Sequence, residues 1–153
     1  MSGFIAGGTA TVLIIDNDGF WPDIEGEGAK AVMRMDSSVP DARLESALLN
    51  AMQSVNRELR AVKKGHLAAG YNTVADVPAD RLGGTSELIL SYRRAVYCTA
   101  GAELQERYRG YDTTSNGDQK AEALCPTIDD LKRDARHAIR DLLGIGHCTV
   151  ELI

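Results

Sequence analysis

Asp130, Asp134, His137 and Asp141 stand four, three and four residues apart, a spacing that puts all four side chains on one face of a helix. A histidine among carboxylates is a grouping that serves as a general base or holds a divalent cation. Lys132, Arg133, Arg136 and Arg140 interleave with them, and the simpler reading is a solvated or intersubunit face on which both signs alternate. The thiols offer less. Cys98, Cys125 and Cys148 are widely spaced, with His147 beside the last, whereas structural zinc usually draws two ligands from one short knuckle. Gly7-Gly8-Thr9 lacks the lysine and the spacing of a phosphate-cradling loop. No catalytic set, metal or cofactor is expected from these residues.

A second dense cluster runs from Glu106 to Asp112, with Arg107, Tyr108, Arg109 and Asp112 at its centre. Cation–π contacts and ion pairs between subunits use such residues. An exposed helix end, where arginine suits the dipole and tyrosine covers a core edge, uses them equally.

The elements that must position these groups are set by a chain of 153 residues, 44% hydrophobic and 25% charged, a composition for one soluble globular domain. The balance is 17 basic against 22 acidic residues, a net charge of −5. A protein that grips nucleic-acid phosphates usually has the opposite balance, and 5% aromatic residues leave few platforms for stacking bases. The apolar run Val12–Ile15 is far too short to span a bilayer and lacks the flanks of a signal peptide. Three cysteines fit a reducing compartment better than a disulfide framework. The expected place of synthesis is therefore the cytosol.

A mainly α fold follows, a bundle of three to four helices, two of them long, with an extended arm at each end. Residues 1–19 form the N-terminal arm, 20–146 the bundle and 147–153 the C-terminal tail. Thr9–Ile15 reads as a strand followed by the turn Asp16–Gly19, and a lone strand must find a backbone partner. Asp23 to about Met35 has weak helical character, damaged by Gly26 and Gly28. Ser38 or Val39 caps a long helix with Pro40 in its first turn. Its stripe is Leu44, Leu48, Ala51, Val55, Leu59 and Val62, and Gly70 ends it after about 45 Å. Lys63, Lys64 and His66 lie near its carbonyl end, where positive charge suits the dipole.

Tyr71–Gly84 is expected to be a loop that packs in part through Val74, Val77 and Leu82. A second long helix starts at Thr85 or Ser86, runs to about Tyr111, and turns Leu88, Tyr92, Ala95, Val96, Thr99 and Ala102 inward. A short helical piece covers Gln119–Leu124. The last helix begins with a capping box of Thr127 and Asp130, buries Ile128, Leu131, Ala135, Ala138 and Leu142, and closes at Gly144. His147–Ile153 alternates like an edge strand.

Several segments, in order, closely resemble the head completion (head stabilisation) proteins of contractile-tailed bacteriophages. They are Phe20-Trp21-Pro22-Asp23-Ile24, Ala68-Ala69-Gly70-Tyr71, Ala75 to Asp80, Tyr92-Arg93-Arg94-Ala95-Val96, Glu106 to Arg109, Gly117-Asp118, Lys120-Ala121, Thr127-Ile128-Asp129 and Arg133-Asp134. The resemblance runs from about Phe20 to the C-terminus. It rests on their collinear succession, since none of them is specific alone. Gly26 and Gly28 fall where the family is more helix-forming.

The resemblance implies a non-enzymatic virion part, assembled in the host cytoplasm and placed at the portal vertex. Such proteins join the portal protein after DNA packaging, close the filled head and present a surface to the next neck or tail-terminator protein. It implies a homo-oligomer, a twelvefold ring of helical bundles whose extended C-terminal tails clasp the portal. DNA passes through the channel without specific binding, and no membrane is involved. On this basis Thr149, Val150, Glu151, Leu152 and Ile153 are the expected portal-binding strand. Thr9, Val12 and Ile14, the Tyr71–Gly84 loop, and Arg107, Tyr108, Arg109 and Asp112 are expected to meet neighbouring subunits or the neck. The rival readings are a small helical DNA-packaging factor and a metal-binding protein or enzyme using the Asp130/Asp134/His137/Asp141 face.

Overall fold

The structure, a computed structural model, describes residues 13–33, 39–109 and 126–146. It is mainly helical, as expected, with two small antiparallel strand pairs. Strand β1 (Ile14–Ile15) pairs with β2 (Ile24–Glu25), and α1 (Gly26–Met33) follows directly. Then come α2 (Asp41–Glu58), α3 (Arg60–Ala68), a 3-10 turn at Val74–Asp76, and a hairpin of β3 (Arg81–Leu82) and β4 (Thr85–Ser86). Helices α4 (Glu87–Arg109) and α5 (Ile128–Leu142) complete the described chain.

Helix α4 is the axis. It packs against α5 and α2, and α1 touches it as well. Of its expected inner face, Tyr92, Ala95, Val96 and Ala102 are buried, while Leu88 and Thr99 are half-buried. Tyr97, Cys98, Ala100 and Leu104 are buried as well, because neighbours cover more than one side of the helix. Small residues allow the close approach: a Cβ on Gly101 would lie 2.7 Å from Met33 Sδ and 3.4 Å from Leu131 Cδ1.

The α2 stripe is buried as its spacing requires, with Leu44, Leu48, Ala51, Val55 and Leu59 at the core. Each Leu-sized side chain withdrawn from water contributes roughly 1.5–3 kcal/mol. The single 30-residue helix expected here is instead two. Leu59 sits between α2 and α3 with φ −88° and ψ 8°; its N–H closes α2 on Val55 O at 2.9 Å, and its carbonyl opens α3 by accepting from Lys63 N–H at 3.0 Å. Pro40 is the residue before the helix rather than part of its first turn, and no side chain among the described residues caps that end. Ser38 lies outside the described residues.

Both later helix ends follow their sequence signals. Gly70 takes φ +96°; its N–H donates to Leu67 O and that of Tyr71 to His66 O, both at 3.1 Å. Gly144 takes φ +67°, with Gly144 N–H on Asp141 O and Ile145 N–H on Arg140 O. Each is the paired terminal bonding that a left-handed residue makes possible. The Thr127–Asp130 capping box is present in both directions. The expected pieces at Gln119–Leu124 and His147–Ile153 fall outside the described residues.

Two expectations need correction. The Tyr71–Gly84 stretch is not all loop: Gly83 and Gly84, at φ +57° and +79°, form the two-residue turn of the β3–β4 hairpin. Consequently α4 starts at Glu87, after β4, and Leu82 is 62% exposed rather than packed. The end of the N-terminal arm is not an orphan strand either. Ile14 faces Glu25 and Ile15 faces Ile24 within the same chain, and Gly26 N–H extends the pairing to Leu13 O at 2.7 Å.

That strand pair also explains the glycines expected to damage the first helix. A Cβ on Gly26 would lie 2.7 Å from Leu13 Cδ2, and one on Gly28 2.9 Å from Tyr97 Oη. Their lack of a side chain lets α1 lie against β1 and α4, which offsets their poor helix propensity.

Candidate functional site

Residues 16–24 carry the first segment of the resemblance, and their anchoring decides what they are for. Asp18 Oδ1 accepts the N–H groups of Phe20 and Trp21, both at 3.1 Å, which closes the turn at Gly19. Asn17 then enters a ring of three side chains drawn from separate parts of the chain. Its Nδ2 donates to Tyr92 Oη at 2.8 Å, Tyr92 Oη donates to Asn56 Oδ1 at 2.6 Å, and Asn56 Nδ2 donates back to Asn17 Oδ1 at 2.9 Å. Each polar atom in the ring has a partner, as burial demands. Burial pushes the Tyr92 phenol well above its ordinary range, opposed in part by the hydrogen bond from Asn17.

Above this ring the aromatics stack. Trp21 lies parallel to Tyr92 with ring centres 4.8 Å apart, and Phe20 meets Trp21 edge-on at 5.0 Å. His66 stacks on Phe20 at 6.1 Å, and Lys63 Nζ sits 5.9 Å over the same ring while pairing with Asp18 at 2.7 Å. Val74 N–H donates to Phe20 O at 2.9 Å, so the loop after α3 docks on the same motif. The Phe20–Ile24 segment is therefore a clasp that ties the N-terminal strand pair to α2, α3 and α4. Asn17 and Asn56 were not legible as its parts, since the first reads as a turn residue and the second lies beside the apolar stripe.

The α5 face is differently occupied. Asp130 Oδ2 accepts from Thr127 N–H and Oγ1, and Asp130 Oδ1 accepts from Arg133 at 2.8 Å. Asp134 pairs with Arg133 at 3.1 Å and with Arg94 of α4 at 3.3 Å. The Thr127 hydroxyl and N–H hold Asp130 below the usual carboxylate range. For Asp134, burial raises the value, and the bonds to Arg133 and Arg94 outweigh it. His137 is half-buried and Asp141 exposed, and both make contacts of their own. Among the described residues no three His, Cys, Asp or Glu side chains converge as a metal site would need. Asp130 and Asp134 thus serve capping and interhelix ion pairing. Cys98 is buried, and burial pushes its thiol up.

Among the remaining expected contact residues, the described side chains include Ile14 on β1 and Arg107 on α4. Arg107 pairs with Glu103 one turn back on α4 at 2.7 Å. Tyr108 and Arg109 are the last two residues of α4, with side chains outside the described set. Asp112, Thr9, Val12 and Thr149 to Ile153 lie outside the described residues. Ile14 is 56% exposed on β1, whereas Ile15 points into the core. Sequence reading missed Leu143 and Ile145, exposed where α5 closes ahead of the tail. An apolar pair beside a closing glycine would have been the signal.

With this arrangement in view, the comparisons are specific. Residues 15–153 match the family model described as phage head completion protein (GPL). The chain is 41% identical over 140 residues to the head completion/stabilization protein of Escherichia phage P2, covering 92% of this chain and 83% of that one. It is 28% identical over 143 residues to the probable head completion/stabilization protein of Haemophilus phage HP1 (strain HP1c1), covering 92% of each. No solved structure matches it. The clasp, the capped α5 and the helices between them all fall inside the matched span, and the chain belongs to the phage head completion protein (GPL) family.

Proposed function

We propose that this chain docks as a ring on the portal after DNA packaging, stabilises the filled head, and presents the surface that neck and tail then join. The observation that carries the reading is the family match over residues 15–153, which supports a structural, virion-associated part. The relatives from phages P2 and HP1 bear names for head completion and stabilisation. No helix among the described residues is long and apolar enough to cross a membrane.

In this reading Thr149 to Ile153 add as a strand to the portal protein, so that main-chain hydrogen bonds supply affinity. Support comes from Leu143 and Ile145, 36% and 48% exposed directly ahead of that tail. Thr9, Val12 and Ile14 meet a neighbouring subunit or the next neck protein. Ile14 is exposed on β1, which pairs with β2 on one edge and with no other strand among the described residues. Arg107, Tyr108, Arg109 and Asp112 sit between subunits, in a twelvefold ring with heterologous, closing contacts. A net charge of −5 per subunit gives a channel wall that repels DNA as a whole, so that it passes without sequence-specific binding.

The test is deletion of residues 149–153. The shortened protein should keep its helical circular dichroism and lose portal binding. Undiminished binding would overturn the assignment of the tail.

A further inference from the structure

One surface runs against the acidic balance of the chain. Arg57, Arg60 and Lys64 project from α2 and α3 three and four residues apart, and Gln53 and Leu67 continue the same row at its ends. The row lines a groove of about 570 Å³. Lys63 also lines it, but is held by Asp18 at 2.7 Å. Among the described residues Asp18 is the one carboxylate in the lining, and it is already committed to that lysine. Arg57, Arg60 and Lys64 are exposed and have no ion-pair partner among the described residues.

We propose that Arg57, Arg60 and Lys64 form a contact for the phosphate backbone of duplex DNA. Arg57 lies on one side of the Leu59 turn and Arg60 and Lys64 follow on the other, all three lining the same groove, and at a helical rise Arg57 to Lys64 covers about 10 Å. Along one strand of a duplex that length carries roughly three phosphates. No aromatic side chain among the described residues lines the groove, so single-stranded bases find nothing there to stack on. Leu67 is the one aliphatic residue of the described lining, too little to seat the alternate side chains of an acidic peptide. What the groove offers is charge in a line, and phosphate contacts of that kind fix position without reading sequence. The acidic remainder of the subunit keeps the contact weak. This goes beyond docking on the portal and does not depend on it.

The experiment is fluorescence anisotropy of a labelled 20-base-pair duplex titrated with the full chain. Three neutralised phosphates predict a log–log salt slope of about −2.7, so affinity should fall about 40-fold between 50 and 200 mM salt. The triple variant R57E/R60E/K64E should weaken binding at 50 mM salt at least tenfold. R57Q/R60Q/K64Q should flatten the slope, and R136E on α5 should stay within about twofold of wild type. Circular dichroism checks that each variant keeps its helices. Equal binding by wild type and both triple variants, or no binding at 50 mM salt, would overturn the proposal. So would an acidic peptide that binds the groove more tightly than the duplex does. Portal binding is scored separately by co-purification, so a portal failure leaves this result readable.

Discussion

Tyr92 donates its phenolic hydrogen to Asn56 Oδ1 across 2.6 Å while its ring lies flat against Trp21 at 4.8 Å. One residue of α4 therefore holds α2 by its polar tip and the N-terminal clasp by its face. Tyr92→Phe keeps the stacking and removes the oxygen, leaving Asn17 and Asn56 each short of a partner. The expected cost is about 1–3 kcal/mol, read as a lower urea midpoint with an unchanged slope. A midpoint equal to wild type would show that the ring of three does not hold the clasp.

Two glycine substitutions should act in opposite directions. Gly65 lies in α3, and a Cβ added there would meet nothing within 4 Å, so Gly65→Ala should stabilise by up to about 1 kcal/mol. Gly28→Ala gains the same propensity but drives a methyl to 2.9 Å from Tyr97 Oη, the end of a rigid, buried ring. Overpacking of that kind costs roughly 1–3 kcal/mol, and the net change should be destabilising. Thermal melts of the two variants give the signs directly.

The fold was largely legible where a local signal and the tertiary packing agree. Thr127 with Asp130, Gly144, Gly70 and the stripe from Leu44 to Leu59 each specify their structure within a few residues. The break at Leu59 was not legible, since neither proline nor glycine marks it. Gly26 and Gly28 misled because their value lies in contacts with Leu13 and Tyr97, which are distant or unordered by any periodicity. The pairing of Ile14 with Glu25 was missed for a similar reason: the partner strand is two residues long and continues straight into α1. Of the surface, charge was legible residue by residue, but not that Asp134 would be occupied by Arg133 and Arg94.

Acid should loosen the clasp through Asp18. Burial raises its carboxyl, but the Lys63 hydrogen bond and the N–H groups of Trp21 and Phe20 outweigh that and hold it below its ordinary value of 3.8. A carboxylate lowered on folding contributes stability that is present above the unfolded value and is lost as pH falls through the folded one. Asp18→Asn should therefore be less stable than wild type at neutral pH, with the gap narrowing below about pH 4. A gap that stays constant from about pH 7 to about pH 2.5 would remove Asp18 as the source.

Thr127→Ala deletes the hydroxyl that accepts from Asp130 N–H at 3.1 Å. Loss of such a cap costs about 0.5–2 kcal/mol, and hydrogen exchange should rise first in the opening turn of α5. Uniform exchange along α5 in the variant would mean that its start is held by packing on α4 alone.

The most direct measurement is the native mass of the purified protein, first by itself and then mixed with the portal protein of the same phage. A complex carrying one copy of this chain per portal subunit is the predicted result. A chain that stays apart from the portal under conditions where the portal itself is intact would contradict it.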